Sequence, residues 1–316
     1  MKKSIIYLAF VFLATSVGAQ VKKNETPQEP KSTTPEVVTK RVKPTATMVL
    51  EPMLHEISGL ATWNDVLWGF NDDTDTSLYA MNPQTGAISH TYELPKVRNQ
   101  DWEELTQDTH YFYLGDFGNN SKGNRENLHI LRIEKQSLLQ ELPKIDTLWF
   151  SYSNQETFIA QPPNQTDFDC EAMIVKKDSI YLFTKQWTSE QTSVYVLPKV
   201  PGTYKAQLKT TFNVEGLITG ATYCEEKDII ALCGYSSLLN PFVFLLYAYQ
   251  PDNFFSGKKL KIDVGLPFHQ VEGITTSDGL HYTISNEAFV KKPFFNVPQQ
   301  LHTLDLSSFF GNKSKH

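Results

Sequence analysis

The chain has 316 residues, a formal net charge of −6 and three cysteines. This acidic balance argues against nucleic acid as a partner, because nucleic-acid binding needs a basic surface. The acidic composition is compatible with a bound cation, since acidic clusters attract cations. The odd number of cysteines does not indicate a disulfide scaffold, and Cys170, Cys224 and Cys233 are interpreted as small buried thiols.

Residues 1–19 have the composition of a secretory signal. Lys2 and Lys3 precede an apolar stretch, and Val17-Gly18-Ala19 has the small side chains of a cleavage site, so we expect cleavage after Ala19. Cleavage would remove two lysines and no acid, which makes the chain more negative still. The apolar stretch is too short for a comfortable membrane span, and no later segment is long and apolar enough to cross a bilayer. We expect an exported monomer, periplasmic or secreted, without a membrane span.

The composition changes along the chain and predicts its domain boundaries. Residues 20–46 are rich in Pro, Thr, Lys and Glu and poor in aromatics, which predicts a disordered spacer. Residues 47–310 are rich in aromatic and β-branched side chains and are predicted to form one domain, with a tail at 311–316. Helical periodicity is nearly absent, and the best candidate is a turn or two in "EKQSLLQEL" (134–142).

Five segments follow one template: a small or acidic residue, an apolar strand, a polar turn and a second apolar strand. They are residues 56–73, 102–118, 170–185, 218–236 and 271–287. Further strand-like runs follow each segment, two after each of the first four and one after the fifth. Four-stranded units that repeat in this way indicate an all-β fold, a β-propeller.

We favour five blades, with six as the alternative if the stretches 119–127 and 153–169 hide a degenerate unit. The fifth unit lacks its outermost strand, while residues 45–52 stand unpaired ahead of the first unit. We therefore predict that this N-terminal strand closes the ring, which would remove an exposed edge. A two-sheet sandwich is the structural rival, but it gives no reason for a recurrent residue type in register.

Alignment of the segments produces two columns of equivalent residues. The first column is Ser58, Glu103, Glu171, Thr219 and Glu272. The second is Gly59, Glu104, Ala172, Gly220 and Gly273, which are small except for Glu104. Since side chains alternate along a strand, we predict that the small column packs between blades and that the first column faces the central channel. Glu104 then needs a partner of its own, for which we expect Arg98 or Arg125.

Three carboxylates at close range must bind a cation, take up protons or find other partners. One hypothesis is a hard metal ion, Ca²⁺ first and Mg²⁺ second, held by Glu103, Glu171 and Glu272. Residues at the ends of the neighbouring strands would complete the shell: Asn71, Asp116 and Asn286. The alternative is that each glutamate accepts backbone hydrogen bonds or pairs with a cation such as Lys185.

The segment "GDFGNNSKGNR" (115–125) is rich in Gly and Asn and predicts a long loop over one face of the propeller. Ligand contacts often lie on such loops. The predicted ligand-binding residues are Ser58 and Thr219 of the ring, Asn119, Asn120 and Arg125 of this loop, and Lys185.

The motifs "NQDWEEL", "YFYLGDFGNN", "DCEAM" and "VEGI" resemble a group of uncharacterised exported bacterial β-propellers. The pattern of that group is roughly N-x-D-W-E-D, G-D-I-G-D/N-N, D-x-E-A-L and E-G/A-I, and the resemblance spans about residues 54–290. More remotely, the group is similar to SdiA-regulated and gluconolactonase/regucalcin-type propellers. That resemblance implies a channel cation at Glu103, Glu171 and Glu272. Ser58 and Thr219 stand where a full acidic shell would have carboxylates or amides.

Two functional hypotheses follow, and enzymatic activity stays open between them. The first is a binding module that presents the channel-mouth face to a protein, glycan, small molecule or envelope component, with any cation structural. The second is a Ca²⁺- or Mg²⁺-dependent hydrolase of a lactone or phosphoester, in which the metal polarises the substrate. We prefer the first, because no residue is an evident nucleophile or base and a fold alone does not define a function.

Overall fold

The computed structural model describes residues 36–73, 75–251 and 253–310. The predicted signal segment 1–19 and tail 311–316 lie outside the described residues. Regular structure is almost entirely β-strand, and one short helix, α1 (Lys135–Leu139), lies within the segment expected to be helical. Among the described residues, no helix has the length and apolar composition needed to cross a membrane.

The strands are numbered in chain order. They are β1 (Val37–Arg41), β2 (Ala46–Val49), β3 (Ile57–Trp63), β4 (Val66–Asn71), β5 (Ser77–Met81), β6 (Ile88–Glu93), β7 (Trp102–Gln107), β8 (Tyr111–Asp116), β9 (His129–Glu134), β10 (Ile145–Tyr152), β11 (Cys170–Lys176), β12 (Ser179–Thr184), β13 (Gln191–Pro198), β14 (Gly202–Asn213), β15 (Leu217–Cys224), β16 (Ile229–Tyr235), β17 (Pro241–Tyr247), β18 (Lys258–Asp263), β19 (Val271–Thr275), β20 (His281–Asn286), β21 (Phe289–Lys291), β22 (Phe295–Val297) and β23 (Gln300–Asp305).

Within the described residues these strands form five four-stranded antiparallel units. Units 1 to 4 are β3–β6, β7–β10, β11–β14 and β15–β18, and unit 5 is β19, β20, β23 and β2. The first strands of the units, β3, β7, β11, β15 and β19, contact one another in a closed cycle. This arrangement is a β-propeller, so the predicted fold class is confirmed. The stretches 119–127 and 153–169 contain no strand.

The chain closes the ring with a strand from near its N-terminus. Strand β2 pairs antiparallel with β23, so that Ala46 lies opposite Thr303 and Val49 opposite Gln300. Unit 5 thus takes its outermost strand from residues that precede unit 1. A second outer junction joins units 2 and 3, where β10 runs parallel to β14.

The prediction that residues 20–46 form a disordered spacer is wrong for its C-terminal part, while residues 20–35 lie outside the described residues. Residues Val37–Arg41 form β1, which pairs in parallel with β18 as a fifth strand on unit 4. Four of its five side chains are exposed. Composition failed here because it reports whether a segment can bury apolar surface, whereas β1 is held by backbone hydrogen bonds to an open sheet edge.

Each first strand carries a β-bulge at the same place. The ladder of β7 with β8 shifts between Trp102 and Glu104, which leaves Glu103 as the extra residue. The four other first strands shift at the equivalent place, between Ile57 and Leu60, Cys170 and Ala172, Ile218 and Gly220, and Val271 and Gly273. Every residue of the predicted ring therefore lies in a bulge, and bulges re-aim side chains. Because Glu103 is the extra residue, the two adjacent glutamates can occupy this strand while the apolar side chains on either side keep their places in the core.

The column of small residues lies where the first strands cross closely. A Cβ on Gly59 would clash with the backbone nitrogen of Leu105 in unit 2, and a Cβ on Gly273 would clash with the backbone oxygen of Ser58 in unit 1. Hydrogen atoms at these positions let neighbouring units approach, as the sequence predicted.

Glu104 is buried at the centre of the ring and does not pair with Arg98 or Arg125. Its two carboxylate oxygens accept backbone hydrogen bonds from Leu105 at 2.8 Å and, across the ring, from Ala221 in unit 4 at 2.6 Å. Burial raises the pKa of Glu104 well above its ordinary value, against the effect of these backbone donors. The side chain therefore connects two units by satisfying N–H groups near the channel axis.

The three cysteines are free and buried, as predicted. Cys233 lies opposite Gly220 and Cys224 opposite Ile229 in the β15–β16 ladder, so these two thiols are not cross-strand neighbours.

We expect Glu104→Ala to destabilise the protein by about 3–5 kcal/mol, because it leaves a cavity and two buried N–H donors without acceptors. Glu104→Gln retains one acceptor oxygen and should cost less. The measurement is the free energy of unfolding from urea titration. Glu126→Ala, an exposed glutamate, is the control and should change stability by less than about 0.5 kcal/mol. Equal effects of Glu104→Ala and the control would contradict the assigned role.

Candidate functional site

An acidic cavity of about 130 Å³ lies at one end of the channel. It opens where the first strand of each unit begins and the second strand ends. Its lining comprises Glu56, Ile57, Ser58, Asp72, Asp101, Glu103, Asn120, Glu171, Lys185, Trp187, Tyr235, Gln270, Glu272 and Glu287. The ring residues Ser58, Glu103, Glu171 and Glu272 are all buried, so four of the five predicted ring residues line one cavity.

The charges of this lining are strongly unbalanced. Seven of the lining residues carry carboxyl groups, and Lys185 is the one lining residue with a cationic side chain. Because like charges in a poorly solvated space repel one another, these carboxyl groups cannot all ionise without compensation.

Lys185 provides part of that compensation. Its ammonium lies 3.2 Å from Glu171 Oε2, and both side chains are almost completely buried. The same nitrogen lies 4.5 Å from the centre of the Trp187 ring and 5.4 Å from that of Tyr235. Burial disfavours the charged form of Lys185, but Glu171 and the other acids outweigh it and raise the lysine pKa well above its ordinary value.

Burial raises the pKa of six of the cavity carboxyl groups above their ordinary values: those of Asp72, Asp101, Glu103, Glu171, Glu272 and Glu287. Burial is the largest cause throughout: it raises the pKa of Asp72 to about 8, that of Glu171 and Glu272 to about 7, and that of Glu287 to about 9. Neighbouring acids add to the effect, while Lys185 opposes it at Glu171 and Glu272. The pKa of Asp101 rises to about 6.

Three of the carboxylates at the cavity mouth converge. One oxygen from each of Glu56, Asp72 and Glu287 lies within 4.8 Å of the others. Glu56 and Asp72 flank the β3–β4 hairpin of unit 1, and Glu287 follows β20 of unit 5. This trio therefore spans the junction between the first and last units, where the propeller closes.

The predicted metal trio is arranged differently. Glu103, Glu171 and Glu272 all line the cavity, but among the described residues their oxygens do not form a group within 4.8 Å, as those of Glu56, Asp72 and Glu287 do. The reason is that the three belong to different units around the channel.

The residues predicted to complete a metal shell do not line the cavity. Asp116 is fully buried and pairs with Arg125 at 2.5 Å. The amide of Asn286 donates to the carbonyl oxygens of Glu287 and Pro298, and its oxygen contacts His302 Nε2 at 2.8 Å. Asn71 donates to Met53 and Asp75.

Two of the three lie one position before a residue that lines the cavity: Asp72 follows Asn71 and Glu287 follows Asn286, whereas Phe117, which follows Asp116, belongs to the core. Side chains alternate along a strand, so the next residue in each case has the opposite orientation. Lys185 in unit 3 and Tyr235 in unit 4 occupy the position equivalent to that of Asp72 and Glu287, and they also line the cavity.

The two hydroxyl residues of the ring connect neighbouring units. The hydroxyl of Ser58 donates to the carbonyl oxygen of Glu103 at 2.8 Å, and the hydroxyl of Thr219 donates to that of Val271. Ser58 lines the cavity, but Thr219 does not.

The predicted ligand loop borders the cavity, but only one of its named residues enters the lining. Asn120 lines the cavity. Asn119 is buried, donates to the Phe168 carbonyl oxygen and accepts the backbone N–H of Arg125. Arg125 donates to the Gly118 carbonyl oxygen and pairs with Asp116, so it holds the loop together.

Gly118 lets this loop pass directly over the acids. A Cβ at Gly118 would clash with Glu103 Oε1 and would lie 2.5 Å from the Asp101 carboxyl carbon. The backbone N–H of Gly118 donates to the carbonyl oxygen of Asp101 at 3.2 Å. The second glycine of "GDFGNN" is therefore required, because the loop backbone approaches the two carboxyl groups too closely for a side chain.

Sequence reasoning missed Glu56, Asp72, Asp101, Gln270 and Glu287. Glu56, Asp101 and Gln270 each precede a ring residue by two positions, so the same alignment with a two-residue period could have identified them. Asp72 and Glu287 could be identified only from the pairing register of the second strands, and the bulges alter that register.

Comparisons with known proteins found solved structures that align with most of the chain at low sequence identity. No protein-family model and no curated protein matches the chain. The PQQ-bound aldose sugar dehydrogenase from Streptomyces coelicolor aligns over 84% of this chain and 97% of its own, with 10% identity and a TM-score of 0.49. A gluconolactonase from Xanthomonas campestris aligns over the same shares with 11% identity and a TM-score of 0.43. The WD40 repeats of RRP9 align over 84% of this chain and 99% of their own, with 10% identity and a TM-score of 0.46.

We expect the protein in EDTA to lose stability as pH rises from about 5 to about 8. The folded pKa values of Asp101, Glu171, Glu272 and Asp72, at about 6, 7, 7 and 8, lie above the ordinary values of 3.8 and 4.5. The folded state therefore binds more protons than the unfolded state in this window, and its advantage is lost as pH rises through the folded values. The melting temperature measured against pH tests this.

Glu272→Gln removes one of these titrating groups and should flatten the pH dependence. Glu126→Gln, at an exposed position, should leave the slope unchanged. A melting temperature that rises across the same window would show that the cavity acids ionise freely.

Proposed function

We propose that the protein is a binding module whose channel end holds a divalent cation, with Glu56, Asp72 and Glu287 as its protein ligands and Ca²⁺ as the preferred ion. The observation that carries this proposal is the convergence of these three carboxylates within 4.8 Å at the mouth of an acidic cavity.

The donor atoms of the cavity suit a hard cation. Asp72 Oδ1 and Glu171 Oε1 are buried and accept no hydrogen bond from the described residues. The lining offers carboxylate, amide and hydroxyl oxygens and contains neither His nor Cys. Such oxygen sets favour Ca²⁺ or Mg²⁺ over Zn²⁺. Carboxylates contributed by different units favour Ca²⁺, because Ca²⁺ accepts irregular ligand geometry whereas Mg²⁺ demands near-octahedral geometry and keeps its waters.

The location of the trio supports a structural role. A cation bound there would attract carboxylates from unit 1 and unit 5 to one point and would cancel part of their repulsion. One backbone hydrogen bond already joins these regions: the N–H of Ala288, after β20 of unit 5, donates to the carbonyl oxygen of His55, before β3 of unit 1, at 2.8 Å. The cavity of about 130 Å³ is smaller than the roughly 300–1,000 Å³ of usual small-molecule sites. It suits an ion with its waters better than an organic substrate.

The partner of the binding module would meet the face around this cavity. An adjoining cleft of about 380 Å³ is lined by residues of the 119–125 loop and shares Asp101 and Asn120 with the acidic cavity. The signal-like composition of residues 1–19 supports export, and extracellular Ca²⁺ modules commonly bind with Kd values of about 10⁻⁴–10⁻³ M. We propose a monomer that is periplasmic or secreted and loaded with Ca²⁺ there.

Calorimetric titration of the full chain should detect one Ca²⁺ site with a Kd below about 1 mM, weaker Mg²⁺ binding and no Zn²⁺ preference. Ca²⁺ at a concentration one hundred times its Kd should stabilise the folded protein by about 2.7 kcal/mol. Asp72→Asn and Glu287→Gln should each weaken Ca²⁺ binding at least tenfold.

The matched control is Asp73→Asn, because Asp73 neighbours Asp72 in sequence but is exposed and does not line the cavity. It should bind Ca²⁺ nearly as tightly as the original protein. If Asp73→Asn and Asp72→Asn weaken binding equally, the site is a diffuse surface attraction. If no Ca²⁺ heat appears above EDTA-treated blanks, the proposal is wrong.

The hydrolase alternative is favoured by one specific observation. Asp101 belongs to both the acidic cavity and the adjoining cleft, and burial raises its pKa to about 6. A carboxyl group with such a pKa is suited to general acid–base catalysis near neutral pH. A substrate in the cleft would place its reacting group beside Asp101, with Asn120 as a hydrogen-bonding neighbour.

The alternative predicts turnover of lactones or phosphoesters that depends on Asp101. In a substrate screen, Asp101→Asn should reduce kcat at least a hundredfold while the protein stays folded. Absence of turnover with Ca²⁺ bound would leave the binding-module proposal as the better account.

A further inference from the structure

A second groove lies between units 1 and 2, away from the acidic cavity. Its volume is about 860 Å³, within the usual range of ligand sites. One wall is the outer half of unit 2, with His129 and Leu131 of β9 and Thr147 and Trp149 of β10. The other wall is residues 95–100, which connect unit 1 to unit 2.

Trp149 provides the groove with an exposed aromatic surface. Its side chain is 43% exposed, whereas Trp68 and Trp102 are buried in the core. The rings of His129 and Trp149 lie 4.6 Å apart at 30°, so one side of the indole is supported and another faces the groove. An exposed, supported indole suits stacking against an apolar ring face.

The opposite wall is cationic. Lys96 and Arg98 are exposed and line the groove, and in the described residues neither has an ion-pair partner. Asp116 is the one lining residue with a carboxyl group, and it is fully buried against Arg125. The groove is therefore a local positive surface on a chain with a net charge of −6.

The floor of the groove is held by a polar network built on the buried carboxylate of Asp116. Asp116 accepts the backbone N–H of Gln100 at 3.1 Å and lies 3.9 Å from His129 Nε2. The other ring nitrogen of His129 lies 2.9 Å from the carbonyl oxygen of Asn127. Asn127 also donates to Gln100 at 2.8 Å. These contacts fix the imidazole under Trp149 and hold the 95–100 segment at a set distance from it.

We propose that this groove binds an acidic saccharide. A pyranose has an apolar face of C–H groups that can stack on Trp149, and its carboxylate would pair with Arg98 and Lys96. Hydroxyl groups of the sugar would meet Thr147, Gln100 and Asn127, which line the groove with hydrogen-bonding groups. This site is independent of the channel cation.

The arrangement favours a saccharide over a nucleotide. One side of the indole already packs on His129, so a base could not be sandwiched between two aromatic rings. The polar groups are spread along a groove of about 860 Å³, which matches several hydroxyl groups better than the edge of one base.

The test is titration of the full chain with trigalacturonate, with neutral galactotriose and adenosine monophosphate as comparison probes. Intrinsic tryptophan fluorescence and calorimetry provide the readouts. We expect trigalacturonate to bind at least tenfold more tightly than either comparison probe and to bind more weakly in 0.5 M NaCl, because salt screens the ionic contacts. Trp149→Ala and the double variant Lys96→Gln/Arg98→Gln should each weaken binding at least tenfold.

Two matched controls separate the groove from general surface effects. Phe294→Ala removes another exposed aromatic, and Lys209→Gln removes another exposed cation; both should bind as the original protein does. Equal binding of the neutral sugar or of the nucleotide overturns the assignment to an acidic saccharide. So does unchanged binding in folded Trp149→Ala, or no binding of trigalacturonate. Because Ca²⁺ binding by Asp72 and Glu287 is measured separately, failure here leaves the channel proposal intact.

Discussion

In each of the five units, a β-bulge gives the first strand one more residue than the second strand at the same place, and the lining of the channel depends on this bulge. Without this bulge, strict alternation would turn Glu103 and Glu104 to opposite faces, one of them between blades. With it, Glu103 lines a cavity while Glu104 reaches the backbone of Ala221 in another unit. The glycines of the next column then let the strands approach. Chain geometry thus concentrates carboxyl groups at one end of the propeller.

That concentration opposes folding, because burying like charges raises the free energy of the ionised state. Lys185 offsets part of it through Glu171, and proton uptake offsets more. The remaining excess lies at the mouth, where Asp72 and Glu287 meet across the junction of unit 1 and unit 5. Strand β2 joins unit 5 at its outer edge, and a cation bound by Glu287 would join the same unit to unit 1 at the channel. This gives a physical reason for placing a cation site at the position where the ring closes.

The end of β8 and the loop that follows it border both proposed sites. On one side, Gly118 packs against the carboxyl groups of Glu103 and Asp101, at the acidic cavity. On the other side, Asp116 supports His129 under Trp149, in the cationic groove. A negative cavity and a positive groove therefore share one rigid segment. Their ligands would differ in charge, so the two sites can be tested independently even though they are close in sequence.

The amino-acid sequence alone determined the all-β propeller, the ring-closing strand and six of the residues that line the cavity, because strand period, repeat spacing and loop composition are local properties of the chain. It identified Ser58, Glu103 and Glu171 but placed Asp116 at a metal. Only the tertiary structure decided which residue of each second strand faces the axis, since pairing register depends on contacts between distant segments. The same holds for β1, which is ordered by pairing with the edge strand β18 and not by its own composition. The local pattern of strands and repeats therefore defines the fold, whereas the pairing register between strands defines which side chains line the acidic cavity.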